Sequence, residues 1–123
     1  MKREREFLLR VDELFPRDPI VARRHLIEDC TVQFSPLAGD VWVSELRALT
    51  TGEGAGTRAL RAICQLADKH QVTLRLIPLP IGPVGPKARQ LRNWYARFGF
   101  HRRSWGDEMY RPPLRQAGPI PTR

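Results

Sequence analysis

The sequence predicts an α/β fold of the mixed, α+β type, in which helices flank a mixed central β-sheet. The hydrophobic period changes from that of a helix to that of a strand near residue 31. Residues 41–77 then have the pattern of a strand, a glycine-rich loop, an amphipathic helix and a second strand, which is the order of a βαβ unit. Because 123 residues suffice for one hydrophobic core, we expect residues 1–123 to form a single domain.

Two helices are predicted at the N-terminus, within residues 1–30. Over residues 3–15, apolar side chains recur every three or four positions, as on one face of a helix. Asp18 suits an N-cap and Pro19 suits the first position of a helix. These two residues predict a second helix that runs to about Asp29.

The core of the domain is expected over residues 31–111, followed by a proline-rich tail at 112–123. Alternating apolar and polar residues on both sides of a turn predict an antiparallel hairpin of strands at 31–35 and 41–49. The elements expected after it are a helix at 55–70, a strand at 72–77 parallel to the second hairpin strand, a helix at 86–98, and short strands at 100–104 and 108–111.

The net charge of +8 is concentrated in one part of the chain. Residues 69–106 contain no Asp or Glu, and their basic residues are Lys69, Arg75, Lys87, Arg89, Arg92, Arg97, Arg102 and Arg103. Such a basic segment favours a polyanionic ligand or partner, with a solvated basic face as the alternative. An acidic protein surface and a nucleic acid are both candidate partners for it.

The composition also limits the cellular setting and the metal chemistry. No signal peptide and no membrane-spanning apolar run are recognised in the sequence, which predicts a cytoplasmic protein without a membrane partner. Cys30 and Cys64 lack the spacing of a metal site or a disulfide framework, so we expect both to be reduced and buried, and we expect no metal. The three histidines are isolated, so each is expected at the surface or in a capping position.

A glycine-rich loop stands between the predicted strand at 41–49 and the helix at 55–70. Gly52, Gly54 and Gly56 let the backbone turn sharply and approach a ligand, and the helix that follows offers unpaired N–H groups to an anion. The loop lacks the Lys-Ser/Thr pair of a Walker-type loop. It matches G-x-G-x-x-A but lacks the acidic residue that a dinucleotide site needs about 20 residues later. A plain strand-to-helix turn remains the structural alternative.

Downstream residues give the loop a family context. The strand at 41–49, the Gly52-Glu53-Gly54-Ala55-Gly56 loop, the strand at 72–77, the Trp94-Tyr95-Ala96-Arg97-Phe98-Gly99-Phe100 element and the Met109-Tyr110-Arg111-Pro112-Pro113 ending together resemble the GNAT superfamily of acyl-CoA-dependent N-acyltransferases. The resemblance covers about residues 31–113. It implies a sheet that splays between the strands before and after the loop, acetyl-CoA as cosubstrate, and transfer of the acetyl group to an amine.

The resemblance also implies which residues bind the cofactor. The pyrophosphate would lie on the loop formed by Thr51, Gly52, Glu53, Gly54, Ala55, Gly56 and Thr57. Leu46 and Ala48 would bond the pantetheine amides, and Arg58, Arg61 and Arg97 would add positive charge. Thr51 stands where the family usually has Gln or Arg, and Ala88 stands where Asn is common.

The catalytic residues are likewise implied by the resemblance. Tyr95 matches the tyrosine that protonates the leaving thiolate, with simple packing as the alternative, and a backbone N–H near Leu46 would stabilise the oxyanion. Glu45 and Asp40 are the candidate bases, with a solvated carboxylate as the alternative. The acceptor is a protein lysine, a polypeptide N-terminus or a small amine, and a homodimer is a further candidate assembly. Two other functions stay open: a nucleic-acid-binding module and a catalytically inactive interaction protein.

Overall fold

In the computed structural model, which describes residues 2–49, 54–80, 86–104 and 106–114, the chain folds into three helices and six strands. The helices are α1 (Lys2–Leu14), α2 (Ala55–His70) and α3 (Ala88–Ala96). The strands are β1 (Arg24–Ile27), β2 (Cys30–Leu37), β3 (Asp40–Ala48), β4 (Leu74–Leu76), β5 (His101–Arg102) and β6 (Met109–Arg111).

The strands form one mixed sheet in the order β1-β2-β3-β4-β6-β5. Every described pair is antiparallel except β3 and β4, which are parallel and joined through α2. The predicted hairpin is confirmed, and it closes through Ala38 and Gly39, whose φ values of 51° and 90° suit a tight two-residue turn. The predicted mixed sheet flanked by helices is therefore confirmed.

The predicted second helix, from Pro19 to Asp29, is wrong. Asp18 does cap the turn, because its Oδ1 accepts hydrogen bonds from the N–H groups of Ile20 and Val21 at 2.7 and 2.8 Å. The chain then turns at Arg23 with φ of 61° and continues as β1, which pairs with β2. Strand pairing overrides the local capping signal, so the segment 1–30 holds one helix and one strand.

The two faces of the sheet differ in what covers them. One face packs against α1 and α2 through buried side chains such as Val32, Phe34 and Val41, with the Phe7 and Phe34 rings 5.6 Å apart. We call it the helix face. The opposite face, called the open face, carries side chains such as Trp42 and is covered by no helix among the described elements.

The later elements follow the predicted order. The helix predicted at 55–70 is confirmed as α2, and α3 occupies the middle of the range predicted for the last helix. Trp105 and the tail from residue 115 onward lie outside the described residues. Cys30 and Cys64 are buried free thiols, as expected. No helix in the described part of the chain is long and apolar enough to cross a bilayer.

Candidate functional site

The strand β3 contains one extra residue, Ser44, which forms a β-bulge. Gln33 lies opposite Glu45, whereas the next residue of β2, Phe34, lies opposite Val43. Ser44 therefore has no partner residue on β2, and bulges of this kind bend a strand and increase its twist. The strand changes direction in its middle.

The parallel pairing of β3 with β4 covers only the beginning of β3. The registered pairs are Val41 with Leu74 and Trp42 with Arg75, and the bulge follows directly. From Val43 to Ala48 the described pairing of β3 is with β2 alone, so no described strand pairs with the backbone polar groups on the edge of β3 that faces β4.

The first turn of α2 follows β3 and the undescribed segment 50–53. Gly54 precedes the helix in the left-handed conformation, with φ of 74° and ψ of 10°, and as the N-cap residue it supplies no side-chain hydrogen bond to the helix. The first intrahelical bond in this turn runs from the N–H of Arg58 to the carbonyl of Gly54 at 3.1 Å. The N–H groups of Ala55, Gly56 and Thr57 precede it and have no acceptor within the helix, which makes this turn a natural site for an anion.

Trp94 of α3 holds the first turn of α2 in place. Its indole Nε1–H donates to Thr57 Oγ1 at 3.4 Å. A Cβ built on Gly56 would lie 3.6 Å from the indole ring, so the ring rests directly on the backbone there. The helix that carries Tyr95 thus contacts the first turn of α2.

Tyr95 follows Trp94 on α3, next to the contact between α3 and the first turn of α2. We call the region around this contact the α2–α3 junction. The Tyr95 side chain is 7% exposed and packs edge-on against Phe100, with the ring centroids 5.4 Å apart. Burial, together with the nearby Cys30 thiol, raises the pKa of Tyr95 to about 12, so the phenol keeps its proton at neutral pH. Cys30 is the register partner of Ala48, which places Tyr95 near the divergent end of β3.

The remaining residues implied for the cofactor divide into described and undescribed ones. Leu46 and Ala48 are partly buried and pack against the core from the second half of β3. Arg58 and Arg97 are exposed, and Arg58 Nε lies 3.5 Å from Glu28 Oε1. Three candidates lie outside the described residues, namely Thr51, Gly52 and Glu53.

The two candidate bases are held in ion pairs. Glu45 accepts hydrogen bonds from Arg24 Nη2 at 2.9 Å and from Thr31 Oγ1 at 2.8 Å, and all three side chains lie on the open face. Asp40 Oδ2 lies 3.7 Å from Arg75 Nη1. Tyr95 packs on the helix face, so the structure does not bring Glu45 and Tyr95 together.

Sequence reasoning missed a buried ion pair that closes the fold beside the site. Arg111, 3% exposed, donates from Nη1 and Nη2 to the two carboxylate oxygens of Asp68 at 2.8 and 3.0 Å. Its Nε donates to the carbonyl of Phe98 at 2.7 Å. Burial opposes the charged form of Asp68, but hydrogen bonds from Arg111 and from the N–H of Leu114 hold its pKa below the usual value. No local sequence motif predicts this ion pair, because its two residues are 43 positions apart in the sequence.

His25 was also missed. The prediction of a surface or capping role is wrong for His25, which is 3% exposed, with Nε2 2.7 Å from Asp12 Oδ1. This contact attaches β1 to α1 and lies on the far side of β2 from β3. No group of three or more metal-ligating side chains occurs among the described residues.

Two described cavities lie away from this junction. One, of about 300 Å³, is lined by α1 and Pro36, and the other, of about 350 Å³, lies on the open face beside Trp42, Arg75 and Glu108. The segments 50–53 and 81–85, which adjoin α2 and α3 in sequence, lie outside the described residues.

Comparison with known proteins yields one fold likeness. No protein-family model matches the chain, and no curated protein matches it significantly. Among solved structures, the fold is similar to the crystal structure of the anti-CRISPR protein AcrVA5, with a TM-score of 0.57 and 15% identity. The match covers 67% of this chain and 88% of that chain. At this identity the likeness concerns the fold alone.

Proposed function

We propose that the protein is an acyl-CoA-dependent N-acyltransferase that transfers an acetyl group from acetyl-CoA to an amine. The observation that carries the proposal is the first turn of α2, whose three leading N–H groups have no acceptor within the helix and which follows the half of β3 that lacks described pairing with β4. A helix N-terminus near a strand edge that no described strand pairs would suit coenzyme A, because the cofactor joins a pyrophosphate to an extended arm with two amides.

The two parts of the cofactor would use different backbone groups. The pyrophosphate would accept hydrogen bonds from the amides of Ala55, Gly56 and Thr57, with the helix dipole adding to the attraction. The pantetheine arm would lie along the second half of β3, past Leu46 and Ala48, and pair with the edge that β4 leaves free. Arg58 and Arg97, both exposed, would add positive charge around the phosphates.

The reaction is a direct transfer. The amine nitrogen attacks the thioester carbonyl carbon, the C–N bond forms, the C–S bond breaks and the electron pair leaves on sulfur. Tyr95 would donate its phenolic proton to that thiolate and recover a proton from solvent. Burial raises the pKa of Tyr95 to about 12, so the phenol is protonated at neutral pH and available as a proton donor.

The acceptor amine must lose a proton, and Glu45 and Asp40 remain the predicted bases. Glu45 would have to leave Arg24 and Thr31 and reach around the sheet. A base in the undescribed segments or water itself would meet the same need, since an amine that arrives neutral only has to lose its proton after attack.

Calorimetry with acetyl-CoA tests the proposal first. We expect saturable binding, and Gly54→Ala should weaken it because Gly54 shapes the first turn of α2. Release of free thiol in the presence of an amine panel then tests turnover. The absence of acetyl-CoA binding at millimolar concentration would overturn the proposal.

A second candidate function is an interaction protein that keeps the acyltransferase fold without turnover. The observation that favours it is the pairing of Glu45 with Arg24 and Thr31, which leaves this candidate base occupied. Acetyl-CoA binding without thiol release on any amine would identify this alternative.

A further inference from the structure

The basic segment 69–106 divides between two surfaces in the folded protein. Arg75 and Arg103 both donate to Glu108 Oε2, at 2.8 and 3.1 Å, and Arg103 lies over the Tyr110 ring. Tyr110 is the register partner of Arg75, so these two arginines belong to the open face. Glu108, together with Asp40 beside Arg75, offsets their charge within the protein.

Two other arginines of the segment lie on α3. Arg89 is exposed and Arg92 is half-buried, and because they are three residues apart on one helix their side chains are neighbours. Among the described residues, neither guanidinium group has a carboxylate within 4.0 Å. We call Arg89 and Arg92 the α3 basic surface.

The α3 basic surface begins beside the proposed general acid. Arg92 precedes Tyr95 by three residues on α3, and side chains at this spacing are neighbours with Cβ atoms about 5–6 Å apart. A polypeptide bound to these arginines would therefore lie close to Tyr95, near the position that the proposed function gives to the thioester.

We propose that the α3 basic surface docks an acidic polypeptide segment that carries the acceptor amine. The inference rests on the proposed function and specifies its substrate class. Guanidinium forks bind carboxylates in pairs of parallel hydrogen bonds, so two neighbouring arginines without a carboxylate partner among the described residues fit a pair of Asp or Glu side chains. A protein segment supplies what the transfer needs, because its lysine side chain or N-terminus is an aliphatic amine.

A nucleic acid fits the same surface less well. Its phosphates would match the charge, but proteins that bind single strands also present aromatic rings to the bases. The aromatic rings of α3 are used inside the protein, because Trp94 rests on Gly56 and Tyr95 packs on Phe100. The four common bases also lack the aliphatic amine that the reaction acylates.

The test uses two lysine peptides of equal length, one with Glu on both sides of the lysine and one with Gln at those positions. Thiol release from acetyl-CoA gives kcat/KM for each peptide with the full chain. We expect the acidic peptide to be acylated about tenfold more efficiently, and 0.5 M salt to remove the difference. Equal rates for the two peptides would overturn the docking inference and leave the proposed function standing.

A double variant locates the effect. Arg89→Gln with Arg92→Gln should lower kcat/KM for the acidic peptide to that of the neutral one, while neutral-peptide turnover and acetyl-CoA affinity stay as in the parent chain. The matched control is Arg3→Gln with Arg5→Gln, which removes two exposed cations from α1 and should change neither rate. An equal loss in both double variants would contradict a defined docking surface.

A binding measurement separates this inference from the proposed function. Anisotropy of a labelled acidic peptide needs no acetyl-CoA, so weaker binding to the Arg89/Arg92 double variant supports docking even if no transfer is found. Single-stranded DNA of equal charge serves as competitor. Displacement of the peptide at DNA concentrations well below the peptide Kd would overturn the assignment to a polypeptide.

Discussion

The two faces of the sheet differ in how their arginine side chains are paired with carboxylates. On the open face, Arg24, Arg75 and Arg103 each contact a carboxylate, and those carboxylates come from β3 or the β5–β6 connection. On the helix side, Arg111 is buried in a closed pair with Asp68, whereas the outer arginines of α3 have no carboxylate partner among the described residues. Charge that is internally paired serves the fold, and charge that is left unpaired is available to a ligand or partner.

The ion pairs on the two faces also differ in burial, and we expect burial to determine how much each pair contributes to the free energy of unfolding. Glu108 is 15% exposed and its partners Arg75 and Arg103 are 21% and 31% exposed, so water screens the open-face pairs. Arg111 is 4% exposed in its side chain and donates two parallel hydrogen bonds to Asp68. Loss of Arg111 would remove the cation from a partly desolvated carboxylate, and loss of Asp68 would leave a buried guanidinium group without its carboxylate.

The largest effect is expected from Arg111→Met. The substitution removes the cation from Asp68 and the donor from the Phe98 carbonyl, and we expect a loss of about 3 kcal/mol in the free energy of unfolding. Urea denaturation measures it. The matched variant on the open face is Glu108→Gln, for which we expect about 1 kcal/mol. Equal losses in the two variants would contradict the distinction between the faces.

The same pair gives a pH dependence with a defined sign. The folded pKa of Asp68 is lowered, so its contribution to stability is present above the unfolded value, about 3.9, and is lost as the pH falls through the folded pKa. Asp68→Asn removes this contribution at every pH. The stability difference between the parent chain and Asp68→Asn should therefore shrink below pH 4, and a difference that stays constant to pH 2 would contradict the assignment.

The next largest effect is expected from Tyr95→Phe. Turnover should fall about a hundredfold because the leaving thiolate loses its proton donor, whereas acetyl-CoA affinity and the melting temperature should change little. Because the pKa of Tyr95 is about 12, titration of this phenol should cause no loss of activity up to pH 10. An unchanged rate in Tyr95→Phe would assign the ring to packing alone.

The smallest effect is expected from alanine at two glycines with positive φ. Gly54 and Gly106 have φ of 74° and 73°, so alanine at either should cost about 1 kcal/mol of stability through backbone strain. A Cβ at Gly54 would meet only Arg58 Nη1 at 3.5 Å, an ordinary contact, and one at Gly106 would meet nothing within 4 Å. Acetyl-CoA binding should weaken only in Gly54→Ala, and equal weakening in both would separate the first turn of α2 from the cofactor.

The sequence predicts well those features that depend on neighbouring residues. The apolar stripe of α2 and the antiparallel hairpin depend on local patterns, and both are confirmed, with the hairpin strands extending further into the predicted turn than expected. The prediction of a second helix was wrong because the local signal, the Asp18 cap, competed with pairing between Arg24–Ile27 and β2. A cap determines where a helix can start and not how far it continues.

The site was predictable only in part for the same reason. The first turn of α2 and Tyr95 follow from local pattern and family resemblance, whereas the contact that joins them, Trp94 with Gly56 and Thr57, spans 37 residues. The sequence also could not show that Glu45 is held by Arg24, 21 residues away. Contacts between distant segments depend on the packing of whole elements, which no residue pattern encodes directly.

The bulge at Ser44 has a consequence for how this fold can change. Val41 and Val43 face the core before the bulge, and Leu46 and Ala48 face it afterwards, so the extra residue shifts the phase of the alternation by one. Deleting Ser44 would leave every inward-facing side chain facing inward and would remove only the local twist. A chain that lacks Ser44 would show whether the pairing of β3 with β4 extends further along β3 once the bulge is removed.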